Sequence, residues 1–145
     1  MSYTALYRKF RPSEFSDVKG QDHIVTTLKN QIKADRIGHA YLFTGTRGTG
    51  KTTVIRAVIR VYESMDMRVA LAAPTGRAAK RMSEATQTEA KTIHRLLEYK
   101  PPDGYQKKED NPLEGDVLIL DECSMIDIML MYNLLKALPE SMGLI

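Results

Sequence analysis

Three observations predict an α/β domain in which a parallel sheet is covered by helices on both faces. Short apolar runs at Ala40–Thr44, Arg68–Ala73 and Val117–Leu120 have the length of buried strands. Segments of helical period separate them. Glycine, proline or acidic residues close each run. Strands alternating with helices give parallel pairing, and both faces of such a sheet are buried. A chain of 145 residues suits one domain. Its 43% hydrophobic and 27% charged composition excludes disordered and low-complexity classes.

The elements follow in chain order. Residues 2–17 place Tyr3, Tyr7, Phe10 and Phe15 among basic residues beside Pro12, which predicts an extended arm. A helix is expected after Gly20, because Ile24, Val25, Leu28 and Ile32 recur at helical spacing, with Gly38 as its stop. The strand at 40–44 leads into a glycine-rich stretch, Gly45 to Gly50. Val54 to Tyr62 is apolar nearly all round and is expected to be buried on more than one side. After the strand at 68–73, Pro74 stops the chain, and residues 76–85 form the next helix. Thr92 to Tyr99 is a candidate short helix, and residues 99–115, with two prolines and Asp103-Gly104, read as a surface loop. Ser124 with Asp127 three residues on suggests a capping box. It opens an amphipathic helix through Ile126, Met129, Leu130, Leu134 and Leu138, which Pro139 ends. Gly143-Leu144-Ile145 reads as the opening of a fourth strand, so the expected domain is incomplete at its C-terminal side.

Charge is uneven. Residues 1–53 carry nine Lys/Arg against four Asp/Glu, and residues 54–145 carry twelve against fourteen. A basic leading segment suits nucleotide or nucleic acid as well as a solvated arm. No apolar run approaches the ~20 residues of a membrane helix, and no signal peptide is visible. The single cysteine, Cys123, leaves no intramolecular disulfide or thiolate zinc cluster. The expected location is the cytoplasm, with no membrane partner.

The chemistry concentrates at two places. Gly45-Thr46-Arg47-Gly48-Thr49-Gly50-Lys51-Thr52 fulfils G-x-x-x-x-G-K-[ST] between a predicted strand and a predicted helix. Glycines allow backbone N–H groups to turn around phosphate oxygens, and the following helix adds its positive end. Lys51 then reaches the β- and γ-phosphates, Thr52 ligates Mg²⁺, and Thr53 closes the cradle. The second place is the acidic pair Asp121-Glu122 at the end of four apolar residues. Asp121 is expected beside Thr52 on Mg²⁺, and Glu122 is expected to polarise the water that attacks the γ-phosphate. A plain cap of the next helix is the structural alternative for this pair. Together the two motifs predict a P-loop NTPase that binds ATP and Mg²⁺, with Lys51 and Glu122 catalytic.

Two families are then resembled. Tyr7-Arg8-Lys9-Phe10-Arg11-Pro12, Phe15 to Gln21 and His39 to Phe43 resemble the gamma/tau clamp-loader subunit of bacterial DNA polymerase III, over residues 1–53. That resemblance implies an AAA+ adenine pocket lined by Tyr7, Arg11, Pro12 and Val18, where a packed arm is the structural alternative. Val69 to Met82, Lys91 to Leu97 and Leu120 to Asp127 resemble RecD-like superfamily 1 DNA helicases, over about residues 48–145. This second resemblance implies that Thr75, Gly76 and Arg77 contact phosphates of single-stranded DNA; a helix cap and an exposed helix start are the alternative. The chain has no cysteine-rich module after the P-loop helix, as a clamp loader would, and has Cys123 where the helicases usually have alanine.

The organisation expected is therefore one domain over 1–145. Residues 1–44 are clamp-loader-like, 45–53 form a shared P-loop and 54–145 are the helicase-like motor portion. The implied function is an ATP hydrolase of DNA metabolism, most like a RecD-like helicase and alternatively a clamp-loader ATPase of replication. A binder without turnover or a non-functional fusion is the third reading. DNA and replisome or recombination subunits are the implied partners, and the isolated chain is expected to be weak or inactive. His94 reads as a packed histidine, and Met125, Met129, Met131 and Met142 read as core filler.

Overall fold

The computed structural model describes residues 22–33 and 51–145, with backbone alone for residues 24, 28, 31–33 and 51–53. The predicted arm, the stop at Gly38, the strand at 40–44 and the loop Gly45–Gly50 lie outside the described residues.

Helix α1 spans Asp22–Lys33, with Asp22 in the first turn where a negative charge meets the positive helix end. Its Val25 is buried. Helix α2 spans Lys51–Ser64. Val54, Ile55, Ala57, Val58, Ile59 and Tyr62 are all buried, which gives α2 the broad apolar face its sequence predicts. The carbonyl of Tyr62 accepts from the N–H groups of Met65 and Met67, so the chain reverses in a tight turn before β1.

Strand β1 is Val69–Ala73, α3 is Gly76–Thr86, β2 is Ala90–Thr92 and α4 is the single turn Ile93–Leu96. A hairpin of β3 (Tyr99–Lys100) and β4 (Gly104–Tyr105) follows. Next come β5 (Val117–Leu120), a 3-10 turn at Cys123–Met125, α5 (Ile128–Ala137) and β6 (Gly143–Leu144).

The main sheet has the order β2-β1-β5-β6, and every pairing is parallel. β1 lies on β5 in the register Val69↔Val117 through Ala72↔Leu120. Alternate residues face opposite sides of a strand, and the core divides accordingly. Leu71, Val117 and Ile119 pack with α2 and with Met82 of α3. Ala72, Leu118 and Leu120 pack with Ile93, Leu97, Leu113 and the inner side of α5, Leu130, Leu134 and Ala137. Helices therefore cover both faces, as the alternation of elements predicts. Ala73, Ala78 and Ala79 form a small third cluster, where short side chains let α3 sit close to β1.

Several sequence expectations need correction. The region read as a loop contains the β3–β4 hairpin, stabilised by pairing of Tyr99 with Tyr105 and Lys100 with Gly104. β2 was not foreseen, because three half-buried residues carry too little pattern. The short helix predicted over Thr92–Tyr99 is one turn, with Thr92 as its cap: the Thr92 hydroxyl accepts from Arg95 N–H at 3.2 Å. The cap of α5 is Asp127, whose carboxylate accepts from Leu130 N–H at 2.9 Å; Ser124 sits within the preceding 3-10 turn. Of Met125, Met129, Met131 and Met142, only Met142 is buried in the core, and Met131 packs half-buried against it. Met125 and Met129 are 60% and 66% exposed, because the helix begins later than expected and turns them outward.

Gly143–Ile145 engages β5 as a fourth strand. Ile145 N–H donates to Leu118 at 2.8 Å, and the Ile145 carbonyl accepts from Leu120 N–H at 2.6 Å.

Candidate active site

In a parallel sheet all carboxyl ends lie on one edge, and ligands of open α/β sheets bind outside that edge. β1 ends there at Ala73 and continues to Pro74, Thr75, Gly76 and Arg77. β5 ends there at Leu120 and continues to Asp121 and Glu122. The two ends are adjacent: Asp121 N–H donates to the Ala72 carbonyl at 3.0 Å. A tight turn after α2 leads the chain into β1, and Lys51, Thr52 and Thr53 form the first turn of α2.

The β1 end is built as an ordinary helix start. Thr75 is extended, at φ −124° and ψ 153°, and caps α3 by accepting from Ala78 N–H at 3.2 Å. Its carbonyl accepts from Ala79 N–H. Gly76 and Arg77 are exposed. A Cβ added at Gly76 would meet nothing within 4 Å, so packing does not require glycine there.

The β5 end is tighter. All four residues of β5 are buried, whereas Asp121 is half-buried and Glu122 is exposed. Glu122 adopts left-handed backbone, φ 54° and ψ 40°, and donates its N–H to Asp121 Oδ1 at 2.9 Å. Its carbonyl accepts from Met125 N–H at 2.9 Å to close the 3-10 turn. The side-chain alternative for the pair, a cap of the next element, does not apply to Glu122: no side chain caps that turn. The Cys123 thiol lies 3.7 Å from the Leu120 carbonyl, and burial, then the Asp121 charge, push its pKa up.

The donor chemistry at this edge suits magnesium. Asp121 supplies hard carboxylate oxygen, and neither Asp121 nor Glu122 forms an ion pair with any described residue. No three His, Cys, Asp or Glu gather into a metal cage among the described residues. Magnesium on a nucleotide keeps several waters and uses one or two carboxylates with substrate phosphates, so a single aspartate is a sufficient protein anchor.

Some predicted residues are not brought into this geometry. Tyr7, Arg11, Pro12, Val18 and Gly45 to Gly50 lie outside the described residues, and the side chains of Lys51, Thr52 and Thr53 do as well. His94 is exposed, not packed into the core as expected, and its contacts are with aromatic rings. Its ring meets Tyr99 edge-on at 5.9 Å and Tyr105 at 5.9 Å, and the two tyrosine rings are 5.0 Å apart. Burial, then the neighbouring Tyr99 and Asp127, push the Tyr105 pKa up. Sequence patterning does not reveal this aromatic group, since its members come from separate elements.

A parallel sheet clad on both faces, with an acidic pair at a carboxyl end, defines an α/β fold of the P-loop NTPase kind. The chain belongs to the AAA domain family, whose profile matches residues 28–145. It is 40% identical over 121 residues to the ATP-dependent RecD2 DNA helicase of Deinococcus radiodurans, covering 83% of this chain and 16% of the relative. It is 35% identical over 145 residues to the DNA polymerase III subunit tau of Bacillus subtilis, covering 97% of this chain and 26% of that protein. It is 53% identical over 60 residues to the tau subunit of Escherichia coli, covering 41% of this chain and 9% of the relative. Both families resembled by the sequence motifs are thus among its relatives. The chain spans no more than about a quarter of the length of these relatives.

Proposed function

We propose that this chain is the nucleotide-binding portion of a cytoplasmic ATPase of DNA replication, recombination or repair, most like a RecD-like ATP-dependent helicase motor. The observation that carries this reading is the adjacency, on one sheet edge, of the Asp121-Glu122 pair and the Thr75–Arg77 turn, and we read the P-loop sequence at the start of α2 as facing that edge.

The roles follow from chemistry. Backbone N–H groups of Gly45, Thr46, Arg47, Gly48, Thr49 and Gly50 surround the phosphates, Lys51 neutralises the β/γ oxygens, and Thr53 continues the turn. Thr52 and Asp121 hold Mg²⁺, which supplies charge neutralisation on the phosphates when bound. Glu122 orients the attacking water and accepts its proton. Thr75, Gly76 and Arg77 hold single-strand phosphates through hydroxyl, backbone N–H and guanidinium. Two facts support that last role. A glycine in a helix costs about 0.5–1 kcal/mol relative to alanine, yet neither backbone conformation nor packing requires one at position 76, and open space surrounds it. The Thr75 hydroxyl also keeps its proton free to donate after accepting from Ala78.

The second reading is a clamp-loader ATPase, in which Tyr7, Arg11, Pro12 and Val18 line the adenine pocket. The 53% identity to a tau subunit favours it for part of the chain. We read the organisation as clamp-loader-like over 1–44 and helicase-like over 54–145, joined at the shared loop 45–53. Replisome or recombination subunits are the expected partners.

Calorimetry with Mg²⁺–ATP and turnover with and without single-stranded DNA separate these readings. The helicase reading expects stimulation by single-stranded DNA alone. The clamp-loader reading expects turnover only with partner subunits. Binding without turnover under either condition identifies a nucleotide holder, and no binding identifies a non-functional fusion. Lys51→Ala is expected to abolish nucleotide binding while leaving the melting temperature within a few degrees; equal affinity in both proteins refutes the site.

A further inference from the structure

Four residues other than glycine adopt left-handed backbone among the described residues: Asp66, Gln87, Glu98 and Glu122. Gln87 caps α3, and Asp66 and Glu98 follow the ends of α2 and α4. Such residues commonly end helices. Glu122 differs, because it follows a buried strand. Its Cβ crowds its own backbone at φ 54°, and a glutamate remains in that region only where its surroundings hold it.

Four hydrogen bonds hold the segment. Asp121 N–H is tied to the Ala72 carbonyl, Leu120 N–H to the Ile145 carbonyl, and Met125 N–H to the Glu122 carbonyl. The fourth runs from Glu122 N–H to Asp121 Oδ1 at 2.9 Å. The first three are backbone bonds of sheet and turn. The fourth depends on a side chain, and that side chain is the proposed magnesium donor.

We infer that the Asp121 carboxylate is a latch that keeps Glu122 left-handed, and that Glu122 is released when this carboxylate turns to a magnesium–nucleotide. Once Asp121 turns, Glu122 N–H loses its acceptor and the left-handed conformation loses its hold. The backbone relaxes toward the extended region, and the glutamate carboxylate moves with it. Asp121 is then a positioning residue for Glu122 in addition to a magnesium donor. The nucleotide-free chain keeps its water-orienting group in one position and the loaded chain in another. The ligand of this step rests on the function proposed above, whereas the latch is a property of the chain alone.

Thermal melting of the full chain without nucleotide tests the latch with Glu122→Gly, Glu122→Asn and Glu122→Ala. Glycine and asparagine accept left-handed backbone and alanine resists it. The expected melting order is therefore Gly above Asn above Ala, with about 2–5 °C between the extremes. At an unstrained position glycine would be lowest, through its greater unfolded-state freedom. Alanine equal to or above glycine overturns the latch. In an Asp121→Ala background the Gly–Ala gap is expected to shrink by half or more, and an unchanged gap also overturns it. With Asp121 intact, saturating Mg²⁺–ADP is expected to narrow the gap, with binding followed separately by calorimetry. Binding with an unchanged gap overturns the coupling. Absence of binding overturns the coupling and the proposed function together, and the melting order still decides the latch.

Discussion

Two neighbouring strand ends, one after β1 and one after β5, occupy the same edge of the sheet and are built in opposite ways. After β1 the chain is relaxed: Thr75 is extended, its oxygen caps α3, and every contact is one that a helix start would make in any protein. After β5 the chain is strained: Glu122 is left-handed, its side chain caps nothing, and a neighbouring carboxylate secures its N–H. The fold uses Thr75. It makes no comparable use of the Glu122 side chain, and strain held where the fold gains nothing from the side chain points to chemistry. In the function proposed above, the β5 end would accordingly be the reacting half of the site and the β1 end the half that contacts the polymer.

The largest effect that sharpens this contrast is on turnover. Glu122→Gln keeps the side-chain shape and removes the base, so hydrolysis should fall by about 10²–10⁴-fold while nucleotide affinity holds. A wild-type rate would make the left-handed backbone a structural accident. Arg77→Ala acts on the other end. It should weaken single-stranded DNA binding and reduce the slope of log affinity against log salt by about 1, with nucleotide affinity unchanged. An unaltered salt dependence would remove Arg77 from the polymer half.

Smaller effects separate the two ends by stability and reactivity. Thr75→Ala deletes a working cap and should cost about 1 kcal/mol in denaturant unfolding; no loss would break the picture of a relaxed, fold-employed turn. Cys123 gives the weakest probe. Its pKa is raised by burial and by the Asp121 charge, so less thiolate is present near neutrality and alkylation should be slow. Raising the pH should accelerate it, and Asp121→Asn should accelerate it at fixed pH by removing a neighbouring negative charge. Equal rates in the two proteins would show that Asp121 does not act on this thiol.

The sequence made the strongly patterned elements readable. β5 is four consecutive apolar residues ended by acids, and β1 is stopped by Pro74, so both strands were legible, as was the broad apolar face of α2. β2 was not, because a strand of three half-buried residues at the edge of the described sheet gets its stability from pairing with Leu71 to Ala73 and not from its own composition. Ser124 and Asp127 are both good caps, and local propensity could not choose between them; the 3-10 turn at Cys123–Met125 settles the choice by delaying α5. At the candidate site, Asp121 and Glu122 were singled out by the apolar run they end, and Thr75 by the resemblance to RecD-like helicases. The left-handed backbone of Glu122 was not, since glutamate carries no preference for it. The segment that carries it is bonded to residues as distant in sequence as Ala72 and Ile145.

The parallel sheet also governs how quickly this structure forms. Arg68 and Asp116, which meet beside the first β1–β5 pair, are 48 residues apart in the chain. The entropy of closing that loop must be met before the central ladder returns any stabilisation. Local pieces such as the β3–β4 hairpin and the single helices form on much shorter timescales. The joining of β1 to β5 is therefore expected to be slower than the formation of these local pieces, and it brings the two strand ends of the proposed site side by side.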